Sequence, residues 1–122
     1  MTTILLALDQ SSKITGYSVF KDNMLMASGT FEFSGDLGKR LMLIREKVAA
    51  LIQEWGVTEL AFEDIQMQGG NVVTYKALAE TLGVLEELAT ELKIKYTLVP
   101  AVTWRSTLGI GGRARADQKR NA

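Results

Sequence analysis

Two short apolar runs in this chain each end in an acidic residue, and these two acids could support metal-ion chemistry. Residues 4–8 are followed by Asp9, and residues 60–62 are followed by Glu63. Both runs have the length and residue types of buried strands, so each carboxylate would lie where a strand leaves the core. On neighbouring strands the two acids would converge and hold a hard divalent cation through their oxygens. The alternative is that each acid simply begins a turn.

The absence of histidine and cysteine narrows the possible chemistry. The 122 residues contain neither. This excludes serine–histidine triads, disulfides, thiolate metal sites and zinc sites of the usual histidine type. Catalysis by this chain must therefore use carboxylates, lysine, tyrosine, hydroxyls or an oxygen-bound metal ion.

The length and composition indicate one globular domain. A chain of 122 residues that is 47% hydrophobic can bury a core but is short for two domains. The sequence shows neither an apolar run of membrane-spanning length nor a signal-peptide pattern. Together with the lack of cysteine, this leads us to expect a cytoplasmic protein.

The charges are unevenly distributed although the net charge is zero. Five basic residues lie between positions 105 and 122, against the single acid Asp117: Arg105, Arg113, Arg115, Lys119 and Arg120. A basic stretch that contains glycine is typical of contacts to a phosphate backbone. The alternative is a solvated tail.

The spacing of apolar residues predicts five strands and two helices. The strands are expected near residues 4–8, 15–20, 24–33, 57–63 and 95–99, and the helices at 37–55 and 73–92. Asp36 is the expected N-cap of the first helix, Gly56 its C-terminal glycine, and Gly29 marks a possible β-bulge. A short helix is expected at 101–108 and a loop at 109–112.

This order, βββ-α-β-α-β, predicts an α/β fold with a mixed five-stranded sheet. Helices between strands imply right-handed crossovers and parallel pairing, while the first three strands form an antiparallel meander. Sites in such sheets form at the carboxyl ends of the central strands. Asp9 and Glu63 fall there.

Several short motifs give the chain a resemblance to a known family. They are Leu8-Asp9-Gln10-Ser11, Gly16, Phe62-Glu63, Leu82-Gly83, Val99-Pro100, Trp104-Arg105, Gly109-Ile110-Gly111 and Asp117-Gln118-Lys119. In this order and spacing, the chain resembles the RuvC-type Holliday-junction resolvases of the RNase H-like superfamily, especially small phage-borne versions. The resemblance covers essentially the whole chain and implies a metal-dependent endonuclease for branched DNA, acting in recombination, repair or phage DNA processing.

The resemblance also implies roles for individual residues. Asp9 and Glu63 correspond to the family's ligands for Mg²⁺ or Mn²⁺, and Lys119 to a basic residue near the scissile phosphate. The expected DNA contacts are Lys13, Gln66, Asn71, Arg105, Arg113, Arg115 and Lys119, with Gln66 to Asn71 in the loop that approaches the junction crossover. Because a four-way junction has two-fold symmetry, a homodimer is expected.

The sequence departs from the family pattern in two places. The family completes its site with further acids on a C-terminal helix, and none follows Lys119 here. We therefore expect residues 1–122 to form a single nuclease domain that lacks this helix, with a basic, flexible tail at 109–122 and impaired activity. The stretch Asp64-Ile65-Gln66-Met67 also carries no aromatic residue that could act as a wedge at the crossover.

Two other functions fit parts of the sequence. A strand ending in Asp9-Gln10-Ser11 is similar to the first phosphate loop of sugar kinases and actin-like ATPases, although Ser11 replaces the usual glycine. The chain could also be a degenerate nuclease fold that binds branched DNA without cutting it. Binding of ATP would identify the first alternative, and binding of a junction without cleavage the second.

Overall fold

The structure, a computed structural model, describes residues 2–11, 13–65 and 72–100. Its elements, in chain order, are β1 (Ile4–Asp9), β2 (Ile14–Lys21), β3 (Met24–Glu32), α1 (Leu37–Trp55), β4 (Glu59–Glu63), α2 (Val72–Glu91) and β5 (Lys95–Val99). The predicted order of elements is confirmed. The predicted helix at 101–108 and the loop and tail at 109–122 lie outside the described residues.

The five strands form one mixed sheet in the order β3-β2-β1-β4-β5. β1, β2 and β3 form an antiparallel meander, whereas β4 pairs in parallel with both β1 and β5. This confirms the predicted fold class and places β1 at the centre of the sheet. The centre of the sheet is therefore where the meander joins the parallel strands.

The two faces of the sheet differ in what covers them. Leu6 and Leu8 of β1 and Phe62 of β4 are fully buried in the main core, into which α1 and α2 also pack. On the opposite face, Ala7 and Ala61 belong to a smaller apolar cluster. Alternation along β1 and β4 therefore directs Leu6, Leu8 and Phe62 towards the helices and the two alanines towards the opposite face.

The ends of α1 follow the sequence prediction. The Lys39 amide donates to Asp36 Oδ1 at 2.9 Å, so Asp36 is the N-cap. Gly56 follows the helix with φ of 63°, a left-handed conformation that glycine adopts without steric cost. These two caps define the ends of α1.

Contacts between side chains join α2 to its neighbours. Arg45 of α1 pairs with Glu87 at 3.1 Å and also with Glu91. The Tyr96 hydroxyl of β5 donates to Glu86 at 2.9 Å, and this bond raises the pKa of the Tyr96 phenol. Helix α2 is therefore tied to both α1 and β5.

Some sequence-based details are wrong. α2 begins one residue earlier than predicted and ends at Glu91, which leaves Leu92 beyond the helix and 41% exposed. The bulge is not at Gly29, because the register shift opposite Val19 and Phe20 makes Met26 the extra residue of β3. Gly29 instead lies opposite Tyr17, whose ring a Cβ at this position would approach to 2.9 Å.

None of the helices in the described residues is both long and apolar enough to cross a membrane.

Candidate metal centre at the ends of two parallel strands

Asp9 and Glu63 are the last residues of two adjacent parallel strands. Leu8 of β1 is the partner of Phe62 of β4, so the next residue on each strand is the acid. Neighbouring strands lie about 4.8 Å apart, which brings the two acidic residues side by side at one edge of the sheet. Both residues are half-buried, and the Oε2 atom of Glu63 is shielded from solvent.

Gln10, which the sequence analysis did not single out as a site residue, connects the two strand ends. Its side chain is buried and makes two hydrogen bonds to the backbone of Glu63. The Gln10 Nε2 atom donates to the Glu63 carbonyl at 2.6 Å, and the Glu63 amide donates to Gln10 Oε1 at 3.1 Å. The burial of Gln10 and its contact with Glu63 appear only in the folded chain, so no signal in the sequence identified this residue.

The turn after Gln10 is held by its own side chains. Ser11 Oγ donates to the Ile14 carbonyl at 2.7 Å, and the hydroxyl of the buried Thr15 donates to the Ser11 carbonyl at 2.8 Å. Serine and threonine hydroxyls commonly stabilise turns in this way. The chain is therefore fixed immediately after Asp9 and Gln10.

Lys13 is exposed in this turn, at the same end of the sheet as Asp9. It borders an open cleft of about 520 Å³ between the start of β2, the end of β3 and the start of α1. The cleft is lined by Lys13, Ile14, Glu32, Phe33, Ser34, Gly35 and Arg40. A phosphate group could approach Lys13 there without displacing core residues.

Asp64 is engaged in the backbone beyond β4. Its amide donates to the Val99 carbonyl at 2.8 Å, and its Oδ1 accepts from the Ile65 amide at 2.9 Å. One carboxylate oxygen of Asp64 thus stabilises the start of the next segment.

The other expected site residues lie outside the described residues. These are Gln66, Asn71, Arg105, Arg113, Arg115 and Lys119. Within residues 2–11, 13–65 and 72–100, no cluster of three or more acidic residues could hold a metal ion. The described part of the site therefore consists of one pair of acids.

The pair fits the chemistry of Mg²⁺ or Mn²⁺. These ions favour oxygen ligands, and Mg²⁺ is commonly held by one or two carboxylates while it keeps several waters. Asp9 and Glu63 provide carboxylates from two rigid strands at a half-exposed edge. The donor set does not suit zinc, which prefers nitrogen and sulfur ligands.

The strand order and the two acids at the strand ends define a class of protein, the RNase H-like α/β domains. The family model described as "Crossover junction endodeoxyribonuclease RuvC" matches residues 5–120. The chain therefore belongs to the RuvC family. The match favours this family over the alternative of an actin-like ATPase.

Curated relatives agree with this assignment. RuvC of Pseudomonas fluorescens is 27% identical over 108 residues, covering 75% of this chain and 62% of the relative. RuvC of Pseudomonas savastanoi pv. phaseolicola is 28% identical over 107 residues, with the same coverage. The match thus spans 62% of the length of each relative.

A solved structure supports the fold. Thermus thermophilus RuvC, in complex with a Holliday junction substrate, superposes with a TM-score of 0.72 at 13% identity. The match covers 85% of this chain and 68% of the other. At this identity the likeness concerns the fold alone.

Proposed function

We propose that this chain is the nuclease domain of a metal-dependent endonuclease that cuts four-way DNA junctions or other branched DNA. The observation that carries the proposal is the position of Asp9 and Glu63 at the adjacent carboxyl ends of β1 and β4. Membership of the RuvC family supports the choice of substrate. A nuclease acting on DNA inside a bacterial or phage-infected cell would work in the cytoplasm.

In this mechanism, Asp9 and Glu63 hold Mg²⁺ or Mn²⁺. The bound ion would activate a water molecule and neutralise charge on the scissile phosphate and leaving oxygen. The two acids contribute by keeping fixed positions, since each ends a hydrogen-bonded strand. Lys119 is proposed to lie near the scissile phosphate and to stabilise its charge. Further carboxylates for a second ion would come from outside the described residues.

Several residues are proposed to contact the DNA. Gln66 and Asn71 are assigned to the junction crossover, and the phosphate contacts to Arg105, Arg113, Arg115 and Lys119. Lys13 supplies a phosphate contact from the turn beside Asp9, which its exposure supports. Such contacts release counterions, so binding should weaken steeply with salt.

Lys13, immediately before β2, and Lys21, at the other end of β2, test which end of this strand contacts the DNA. Lys13→Ala is expected to lower junction affinity and to reduce the slope of log K against log salt by about 1. Lys21→Ala is the matched control, because Lys21 is also exposed but lies at the opposite end of β2. Fluorescence anisotropy over a salt series measures both variants. Equal slopes for the two variants would contradict the proposed contact.

The number of chains bound per junction, measured by titrating the junction with protein, tests the proposed homodimer. Two incisions related by the symmetry of the junction require two active sites, so two chains should bind one junction. In α2, Leu82, Leu85 and Leu88 are buried in the core and are not available for an interface. Val72 and Val73, 60% and 81% exposed in the first turn, are available. A stoichiometry of one chain per junction would contradict the dimer.

Cleavage by two forms of the protein tests the function. The first is the 122-residue chain, and the second, the extended chain, adds after Ala122 the C-terminal segment of the Pseudomonas fluorescens relative. We expect Mg²⁺-dependent cleavage of a synthetic four-way junction to be faster with the extended chain, with a linear duplex of the same sequence left intact. Equal rates would contradict the need for further acids.

A non-catalytic junction-binding module is the second candidate. The observation that favours it is that the described residues contain only two acids at the site, too few for a pair of metal ions. Tight junction binding without cleavage by either form would support this candidate over the nuclease.

A further inference from the structure

We propose that Gln10 is a positioning residue that sets the relative orientation of the two metal ligands, an inference that rests on the proposed metal-dependent function. Gln10 follows Asp9 directly in the chain, and its side chain holds the backbone of Glu63. It is therefore linked to one ligand by a peptide bond and to the other by two hydrogen bonds. The carboxylates themselves need not touch Gln10 for this effect.

The two hydrogen bonds act as an extra step of the β1–β4 ladder. The last paired residues of this ladder are Leu8 and Phe62. One position further on, the Gln10 carboxamide accepts from the Glu63 amide and donates to its carbonyl, as a strand backbone would. A carboxamide is a neutral side-chain group that can donate and accept through two different atoms.

The surroundings leave Gln10 little freedom to move. Gln10 is only 5% exposed, and hydrogen bonds between Ser11 and Thr15 stabilise the turn that follows it. On the other strand, the Asp64 amide is held by the Val99 carbonyl at 2.8 Å. Glu63 is thus fixed through its own amide and carbonyl and through the next residue. Such support of a ligand by its neighbours determines how well a metal is held.

The opposite end of the same strand pair provides a matched comparison. There the Thr58 hydroxyl accepts from the Ile4 amide at 2.9 Å and donates to the Ile4 carbonyl at 3.2 Å. This is the same reciprocal pairing of a side chain with backbone, between the segments that begin β1 and β4. No candidate ligand adjoins it. Thr58 is exposed whereas Gln10 is buried, so the comparison is of metal binding by folded protein and not of stability.

Titration with Mn²⁺ alone separates the positioning role from general stabilisation. Gln10→Met removes both hydrogen bonds while roughly preserving side-chain length, and Thr58→Val does so at the opposite end. Mn²⁺ binding is followed by the electron paramagnetic resonance signal of the free ion, at a temperature where circular dichroism shows each variant folded. We expect Gln10→Met to weaken binding by about 10- to 100-fold, the usual effect of losing a supporting partner, and Thr58→Val to leave it unchanged.

The outcomes distinguish this inference from the proposed function. The metal site, and the inference with it, would be overturned if wild-type protein did not bind Mn²⁺ or if Asp9→Asn bound it as tightly as wild type. Binding that depends on Asp9 but is unchanged in Gln10→Met would overturn the role of Gln10 alone. Equal weakening by Gln10→Met and Thr58→Val would also overturn it.

Amide hydrogen exchange tests the same inference on the wild-type chain, so this test does not depend on whether a variant folds. The Glu63 amide is the terminal amide of β4, and Gln10 Oε1 is its acceptor. We expect this amide to exchange as slowly as amides inside β4 and to slow further when Mg²⁺ is added. Exchange as fast as that of an exposed loop amide would show that Gln10 does not hold Glu63.

Discussion

Asp9→Asn in the extended chain is expected to slow Mg²⁺-dependent junction cleavage by about 10³-fold or more while leaving junction binding intact. Asparagine keeps the shape of the side chain but removes the negative charge that holds the ion. Metal ions contribute several kcal/mol to such reactions, and each ~1.4 kcal/mol corresponds to a factor of ten in rate. Single-turnover cleavage measures the rate, and a gel-shift assay without divalent metal measures binding.

Two substitutions in β4 extend this experiment, one as a second test of the site and one as its control. Glu63→Gln should reproduce the loss of cleavage, because Glu63 ends β4 beside Asp9. Glu59→Gln should not, because Glu59 is an acid of the same strand at its opposite end. Cleavage by Asp9→Asn at the wild-type rate would refute the assignment. Loss of cleavage in Glu59→Gln as well would indicate damage to the strand instead of the site.

Phe62→Ala is expected to lower the free energy of unfolding by about 3–5 kcal/mol. Phe62 is fully buried between the sheet and the helices, and its ring lies 5.6 Å from that of Tyr96. Domains of this kind have a total stability of only about 5–15 kcal/mol, so the variant would be close to unfolding. Urea denaturation followed by tryptophan fluorescence measures the change.

Leu98→Ala is the matched control for this loss. Leu98 is the β5 partner of Phe62 but is 37% exposed, so its truncation should cost less than half as much. Because Glu63 follows Phe62 directly, folded Phe62→Ala protein should also bind Mn²⁺ less tightly. A loss in Phe62→Ala no greater than that in Leu98→Ala would contradict the position of the core.

The amino-acid sequence by itself determined the elements and the main candidate ligands. Alternation and helical spacing predicted all five strands and both helices, and Asp36 and Gly56 predicted the ends of α1. Asp9 and Glu63 could be found because an acid that directly follows a buried strand is a local signal. These features depend on residues close together in the chain, where periodicity and capping act.

Only the tertiary structure showed which residues meet across the sheet. It showed that the ends of β1 and β4 lie side by side and that the bulge is at Met26 and not at Gly29. It also showed the hydrogen bonds between Gln10 and Glu63. Gln10 and Glu63 are 53 positions apart. Strand order and register decide such contacts, and they follow from how the whole sheet buries its apolar faces. The acids were therefore readable in the sequence, whereas the residue that holds them in place was not.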